Sequence, residues 1–182
     1  LGLLTTLAEK KEILLGLGVN KVEVLQFTKE FSTMTTEDYL RMLMSEYGAT
    51  TILIGYDNRM GFDAKNADEV ARTAEALGLE VVRTDVVSSE RGYAVSSTKI
   101  RQCLEEGNVQ EAAVMLGYDY SLEGVVVAGN RIGRTIGFPT ANIQLYEPLK
   151  LVPGNGVYFT KVHTLGRNLY GMCNIGYRPT VG

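Results

Sequence analysis

Ser96-Ser-Thr-Lys-Ile-Arg101 sets neighbouring hydroxyls and a guanidinium where a β run gives way to a helix. The first turn of a helix leaves N–H groups unpaired and carries the positive end of the peptide dipoles, so it favours an anion. Ser97 and Thr98 add side-chain donors to that cluster. Arg101 follows Thr98 by three residues, one helical turn, so its guanidinium can reach the same phosphate. The same residues also serve as a serine cap beside a solvated arginine. The pattern alone leaves both uses open.

A second candidate is Ile54-Gly-Tyr-Asp-Asn-Arg-Met-Gly61, at the end of an apolar run. Its glycines allow sharp turns, and Asp57, Asn58 and Arg59 bring polar groups to the edge of a sheet, where open α/β folds bind ligands. A plain strand-to-helix loop reads the same way. The third is Arg131-Ile-Gly-Arg-Thr-Ile-Gly-Phe-Pro-Thr-Ala-Asn142. Gly129, Gly133 and Gly137 recur every four residues and match neither of the common glycine-rich nucleotide motifs, while Arg131 and Arg134 supply positive charge. Pro139 biases the chain toward extended geometry, in which residues two apart face the same way. The Thr140 hydroxyl and Asn142 carbonyl would then converge on one point. Two neutral oxygens suit Mg²⁺, which takes its remaining bonds from water and phosphate. A bulged loop with a turn-forming proline is the plainer account.

Elements to hold these residues are readable. Thr6-Leu-Ala-Glu9 and Thr35-Thr-Glu-Asp38 are spaced as capping boxes and predict helices to residues 16–18 and to Gly48. Residues 22–27 and 80–87 read as strands, and residues 51–54 as a strand buried on both faces. Helices follow over 68–77, from Ser97 to about residue 106, and from Asn108 to Gly117. Alternating α and β elements argue for a parallel sheet covered by helices. After Gly117 only strand-like runs occur, including a hairpin of 156–162 with 169–175 joined through Leu165-Gly-Arg-Asn168. The expected boundary therefore lies near 118/119, with α/β before it and an all-β barrel or sandwich after it.

Composition narrows the rest. The 182 residues carry a net charge of −3, so no basic field points to nucleic acid or a membrane surface. No apolar run approaches the roughly 18 residues of a membrane span. Cys103 and Cys173 lack CxxC spacing, which fits neither a zinc site nor a disulfide framework and suits a reducing cytoplasm. His163 is the single histidine, and it and Cys173 read as ordinary strand residues. The chain opens on Leu1 and stops at Gly182 after an unfinished β pattern, so a piece of a longer protein is expected.

Gly133-Arg-Thr-Ile-Gly-Phe-Pro-Thr-Ala-Asn-Ile143, preceded by Leu122-Glu-Gly-Val-Val-Val-Ala-Gly129, resembles the riboflavin kinase signature. Pro153-Gly-Asn-Gly-Val-Tyr158 and Asn174-Ile-Gly-Tyr-Arg-Pro-Thr-Val181 resemble that family's next two blocks. Upstream, Leu4-Thr-Thr-Leu7, Phe27-Thr-Lys-Glu-Phe31, Gly55-Tyr-Asp-Asn-Arg-Met-Gly61 and the Ser96–Arg101 block resemble the FMN adenylyltransferase half of bacterial bifunctional FAD synthetases. The resemblance implies a partial Rossmann-like nucleotidylyltransferase domain over 1–118 and a partial riboflavin-kinase-type β-barrel over 119–182. It implies small-molecule substrates: riboflavin, phosphorylated by ATP to FMN, and FMN, adenylylated to FAD with release of pyrophosphate. Ser97, Thr98 and Arg101 would bind ATP phosphates, and Asp57 would lie near the flavin or nucleotide pocket. In the kinase, Gly133 and Arg134 would cover the ATP phosphates, and Thr140 and Asn142 would bind the nucleotide and its Mg²⁺. The family's Gly-x-Phe-Asp-Gly-x-His-x-Gly-His block and the glutamate base of the kinase are not found in these residues. Met60 stands where many relatives have phenylalanine, and the 61–68 loop is short. A non-catalytic flavin- or nucleotide-binding module and a kinase-only enzyme are the alternatives.

Overall fold

Local capping sets most of the helix starts. The computed structural model describes residues 2–86, 94–129, 137 and 140–176. The chain divides into two compact units, Lys21–Ala94 and a discontinuous one made of Leu1–Asn20 with Val95–Gly182.

In Lys21–Ala94, helices α2 (Lys29–Ser32) and α3 (Thr36–Tyr47) are capped by Thr28 and Thr35. Helix α4 (Ala67–Ala76) opens on a full capping box, with Asn66 and Glu69 exchanging bonds. Strands β1 (Thr51–Gly55) and β4 (Glu80–Thr84) pair in parallel, Thr51 opposite Glu80 and Gly55 opposite Thr84. Between them, β2 (Arg59–Met60) and β3 (Lys65–Asn66) make a short antiparallel ladder. Leu40, Ile54, Val70, Ala71, Ala74 and Leu79 form the core, so the helices cover one face of the β1–β4 pair.

Three expectations for this unit need correction. Residues 22–27 take neither strand nor helix form. A short alternating run becomes a strand only where a neighbouring edge pairs with it, and among the described residues β1 and β4 pair only with each other. Strand β1 is not buried on both faces either: Leu53 is 65% exposed, and its cross-strand partner Val82 is also open to solvent. The Thr35–Asp38 box is half made. Thr35 Oγ1 accepts from the Asp38 N–H, but the Asp38 carboxylate accepts from the Thr35 hydroxyl at 2.7 Å instead of the cap backbone. Aspartate is one methylene shorter than the glutamate that this geometry requires.

In the discontinuous unit, α1 (Leu7–Gly16) starts on the expected box between Thr6 and Glu9. Helices α5 (Ser97–Glu105) and α6 (Val109–Leu116) bury Ile100, Cys103, Leu104, Ala112 and Met115 against one another. Among the described residues, the β part holds an antiparallel pair, β5 (Gly124–Val127) with β6 (Asn142–Leu145), and a hairpin of β7 (Gly156–Thr164) with β8 (Arg167–Ile175). The hairpin turn is tighter than expected: Thr164 pairs with Arg167, so only Leu165 and Gly166, both at positive φ, connect the strands. Gly154 donates its N–H to Leu104 O, and a Cβ there would sit 2.3 Å from Glu105 O. No other residue allows the chain before β7 to lie this close to the end of α5.

Candidate functional site

The amino end of α5 holds three of the expected phosphate ligands together. Ser96 is the cap, accepting from the Lys99 N–H at 3.2 Å, so Ser97 and Thr98 are the first two residues of the helix. Both are exposed, and Arg101 lies one turn on and is half-buried. Among the described helices, α5 is the one whose first turn carries no acidic residue. Elsewhere a glutamate or aspartate neutralises the positive helix end. Here Lys99 adds to it, so the electrostatics favour an anion. Arg101 Nε donates to Gly2 O at 2.9 Å, which fixes the guanidinium plane. Its terminal nitrogens have no hydrogen-bond partner among the described residues.

Asp57 lies in the other unit, exposed in the turn that follows β1. A cleft of about 260 Å³ opens at the carboxyl ends of β1 and β4, lined by Gly55, Tyr56, Asn66, Arg83, Thr84 and Asp85 among others. Asp57 is outside that lining, although its neighbours Gly55 and Tyr56 belong to it. The amino end of α4 borders the cleft but already carries its own anions, Asp68 and Glu69. Asp68 pairs with Arg83 at 2.6 Å, and that hydrogen bond, followed by the Arg83 charge, holds its carboxyl below the ordinary range. The cleft therefore suits an uncharged ring or hydroxyls better than a phosphate. Sequence reasoning included Tyr56 in its Ile54–Gly61 stretch without giving it a role and did not single out Thr84 and Asp85, although residues at strand carboxyl ends are the ones an open α/β sheet presents to ligands.

Asn142 begins β6 opposite Val127, and Thr140 precedes it by two residues; both are exposed. The Asn142 amide lies over Gly129, where a Cβ would fall 2.0 Å from Nδ2 and 2.9 Å from Cγ. Gly129 is thus the floor on which the Asn142 side chain rests. Gly133 and Arg134 lie outside the described residues. No group of three or more His, Cys, Asp or Glu able to hold a metal occurs among the described residues. The side chains of Thr140 and Asn142 would themselves offer a cation neutral oxygens.

A buried polar cluster also went unseen in the sequence. Lys150, 6% exposed, donates to Glu9 Oε2 at 2.5 Å and to Leu4 O at 2.9 Å, and stands 4.6 Å from the centre of the Tyr120 ring. Tyr120 donates to Leu151 O at 2.7 Å. Burial, and then the Glu9 carboxylate nearby, push its phenol well above the usual range. The signal available was a lone lysine inside Leu149-Lys-Leu151, but nothing local names its partner.

Known proteins resemble this chain along nearly all of its length. The family model described as FAD synthetase matches residues 1–99, and that described as riboflavin kinase matches residues 116–182. A bifunctional riboflavin kinase/FMN adenylyltransferase of Escherichia coli (strain K12) is 35% identical over 98% of this chain and 57% of that protein. Its counterpart in Listeria monocytogenes serovar 1/2a is 34% identical over 97% of this chain and 56% of that protein. The chain thus spans little more than half the length of these relatives. A crystal structure described as a macrolide-efflux protein from Streptococcus pneumoniae superposes with a TM-score of 0.87 at 32% identity, over 98% of this chain and 57% of that one. No helix among the described residues is long and apolar enough to cross a membrane. With more than half of its residues matched by one family model, and a riboflavin kinase segment following in order, the chain belongs to the FAD synthetase family.

Proposed function

We propose that this chain is part of a cytoplasmic bifunctional transferase that makes FAD from riboflavin. One activity phosphorylates the 5′-hydroxyl of riboflavin with ATP to give FMN. The other transfers the adenylyl group of a second ATP to FMN, forming FAD and releasing pyrophosphate. The observation that carries this reading is the order of the two family matches, FAD synthetase over 1–99 and riboflavin kinase over 116–182. The functional division proposed here lies near 118/119, with a Rossmann-like nucleotidylyltransferase part before it and a riboflavin-kinase-type barrel part after it.

In the adenylyl-transfer half, the amino end of α5 would receive the ATP phosphates: Ser97 and Thr98 through their hydroxyls and first-turn N–H groups, Arg101 through its terminal nitrogens, which have no partner among the described residues. The cleft beyond β1 and β4 suits an uncharged part of the flavin or nucleotide, with Asp57 at its margin. These groups bind and orient; phosphate charge is neutralised by groups placed beforehand, which lowers the barrier without reorganisation.

In the kinase half, Thr140 and Asn142 fit a hard cation that keeps most of its other bonds to phosphate and water. Mg²⁺ bound there would supply neutralisation of the nucleotide phosphates. Gly129 leaves the Asn142 amide its place, and Gly133 and Arg134 are the expected cover over the phosphates.

The test separates the two halves. Arg101→Ala should cut conversion of FMN to FAD sharply by raising the KM for ATP and leave riboflavin phosphorylation intact, and Thr140→Ala with Asn142→Ala should abolish riboflavin phosphorylation and leave conversion of FMN to FAD intact. Flavins are separated after incubation with ATP and Mg²⁺. Equal loss of both activities in either variant refutes the two-site assignment.

A further inference from the structure

Lys150 belongs to the segment matched by the riboflavin kinase model, yet its bonds run to residues of the segment matched by the FAD synthetase model. Its ammonium group has three donor directions, and all are used: Glu9 Oε2, Leu4 O and the face of the Tyr120 ring. Around it, Leu3 bridges Lys150 in parallel, with Leu3 N donating to Leu149 O at 2.7 Å and Leu151 N to Leu3 O at 2.9 Å. The next residue back, Gly2, lies so close to Leu151 that a Cβ would meet its side chain at 2.8 Å. The Gly2 carbonyl is the acceptor on which Arg101 Nε is braced.

From these contacts we infer that Lys150 is a positioning residue for adenylyl transfer: it locks residues 2–9 in register and so fixes the carbonyl that aims the Arg101 guanidinium. The inference rests on the reading of Arg101 as a phosphate ligand. A buried ion pair is poorly suited to stability alone, because apolar residues of equal volume do as well or better. This one even leaves Glu9 Oε1 buried without a partner among the described residues. What such a pair provides is a unique register, since a shift of the segment by one residue would strand a buried charge. An arginine braced through Nε presents its remaining fork in one orientation, which is how bidentate phosphate contacts gain their specificity.

Glu9→Gln combined with Lys150→Met removes both charges at nearly constant volume, so the fold should be retained. In that variant the KM for ATP in conversion of FMN to FAD should rise roughly tenfold or more, because the ligand is misplaced. The KM for ATP in riboflavin phosphorylation should stay unchanged. Gly2→Ala, which shifts the same carbonyl without touching the pair, should raise the same KM, and neither change should add to Arg101→Lys. If Arg101→Ala raises the KM while both other variants, folded, leave it unchanged, the inference is overturned and the role of Arg101 stands. If Arg101→Ala leaves the KM unchanged, that role fails and takes the inference with it. A fall in both activities in step with the thermal midpoint would show a structural role only and would also overturn it.

Discussion

Gly129→Ala tests whether Asn142 must occupy the position it has in β6. The added Cβ would fall 2.0 Å from Asn142 Nδ2, and ordinary contact begins near 3.4 Å, so the amide must retreat by about 1.4 Å. Asn142 is exposed, so its side chain has room to turn away. The fold should then lose only about 0.5–1.5 kcal/mol, the cost of holding one side chain off its preferred rotamer. Chemistry is less tolerant: displacing a ligand by about 1 Å costs on the order of 100-fold in rate. The assay pairs urea denaturation with the kcat/KM of riboflavin phosphorylation at saturating Mg²⁺. Gly129→Ala should lose about 100-fold in activity while keeping most of its stability, and the double variant with Asn142→Ala should be no worse than Asn142→Ala alone. A folded Gly129→Ala protein that phosphorylates riboflavin at the original rate would refute the placement of Asn142 at the nucleotide.

Two predictions concern stability. Asp63 accepts from both Thr36 Oγ1 and Thr36 N, and these bonds, with the Lys65 charge, hold its carboxyl below the ordinary aspartate range. A depressed carboxyl contributes stability that is complete above its unfolded pKa and lost as pH falls through the folded one. Unfolding midpoints should therefore decline below about pH 4, and Asp63→Asn should flatten that decline; an equally steep decline in the variant would contradict it. Leu53→Thr should change stability by less than about 0.5 kcal/mol, because the side chain is exposed, whereas Ile54→Ala should cost about 2–5 kcal/mol. Urea denaturation of both variants checks the contrast, and a large loss at Leu53 would mean that this sheet face is covered in solution.

What the sequence made legible was local. Thr6 with Glu9, and Ser96 ahead of Ser97, set helix starts through bonds between residues three apart, so spacing alone names them. The hairpin strands were readable for the same reason, from alternation and a nearby turn signal. Residues 22–27 misled because their pattern states only that a strand is affordable, while its existence depends on an edge elsewhere. Leu53 misled because an apolar run cannot say which of its faces will be covered. The proposed phosphate ligands at α5 were visible as hydroxyls near a helix start, but Gly2 as the brace for Arg101 was not, since the two are 99 positions apart.

The joining of residues 2–9 to Lys150 also sets an order of assembly. Glu9 and Lys150 are 141 residues apart, so during synthesis residues 2–9 wait for that length of chain before Lys150 exists. Lys21–Ala94 is continuous and makes its own core, so it can fold while the earlier residues remain unpaired. Closing so long a loop costs little more entropy than closing one half its length, since the penalty grows only logarithmically. The delay is kinetic: non-local contacts come late, and until they form Leu4, Leu151 and the α5–α6 core stay exposed to other chains.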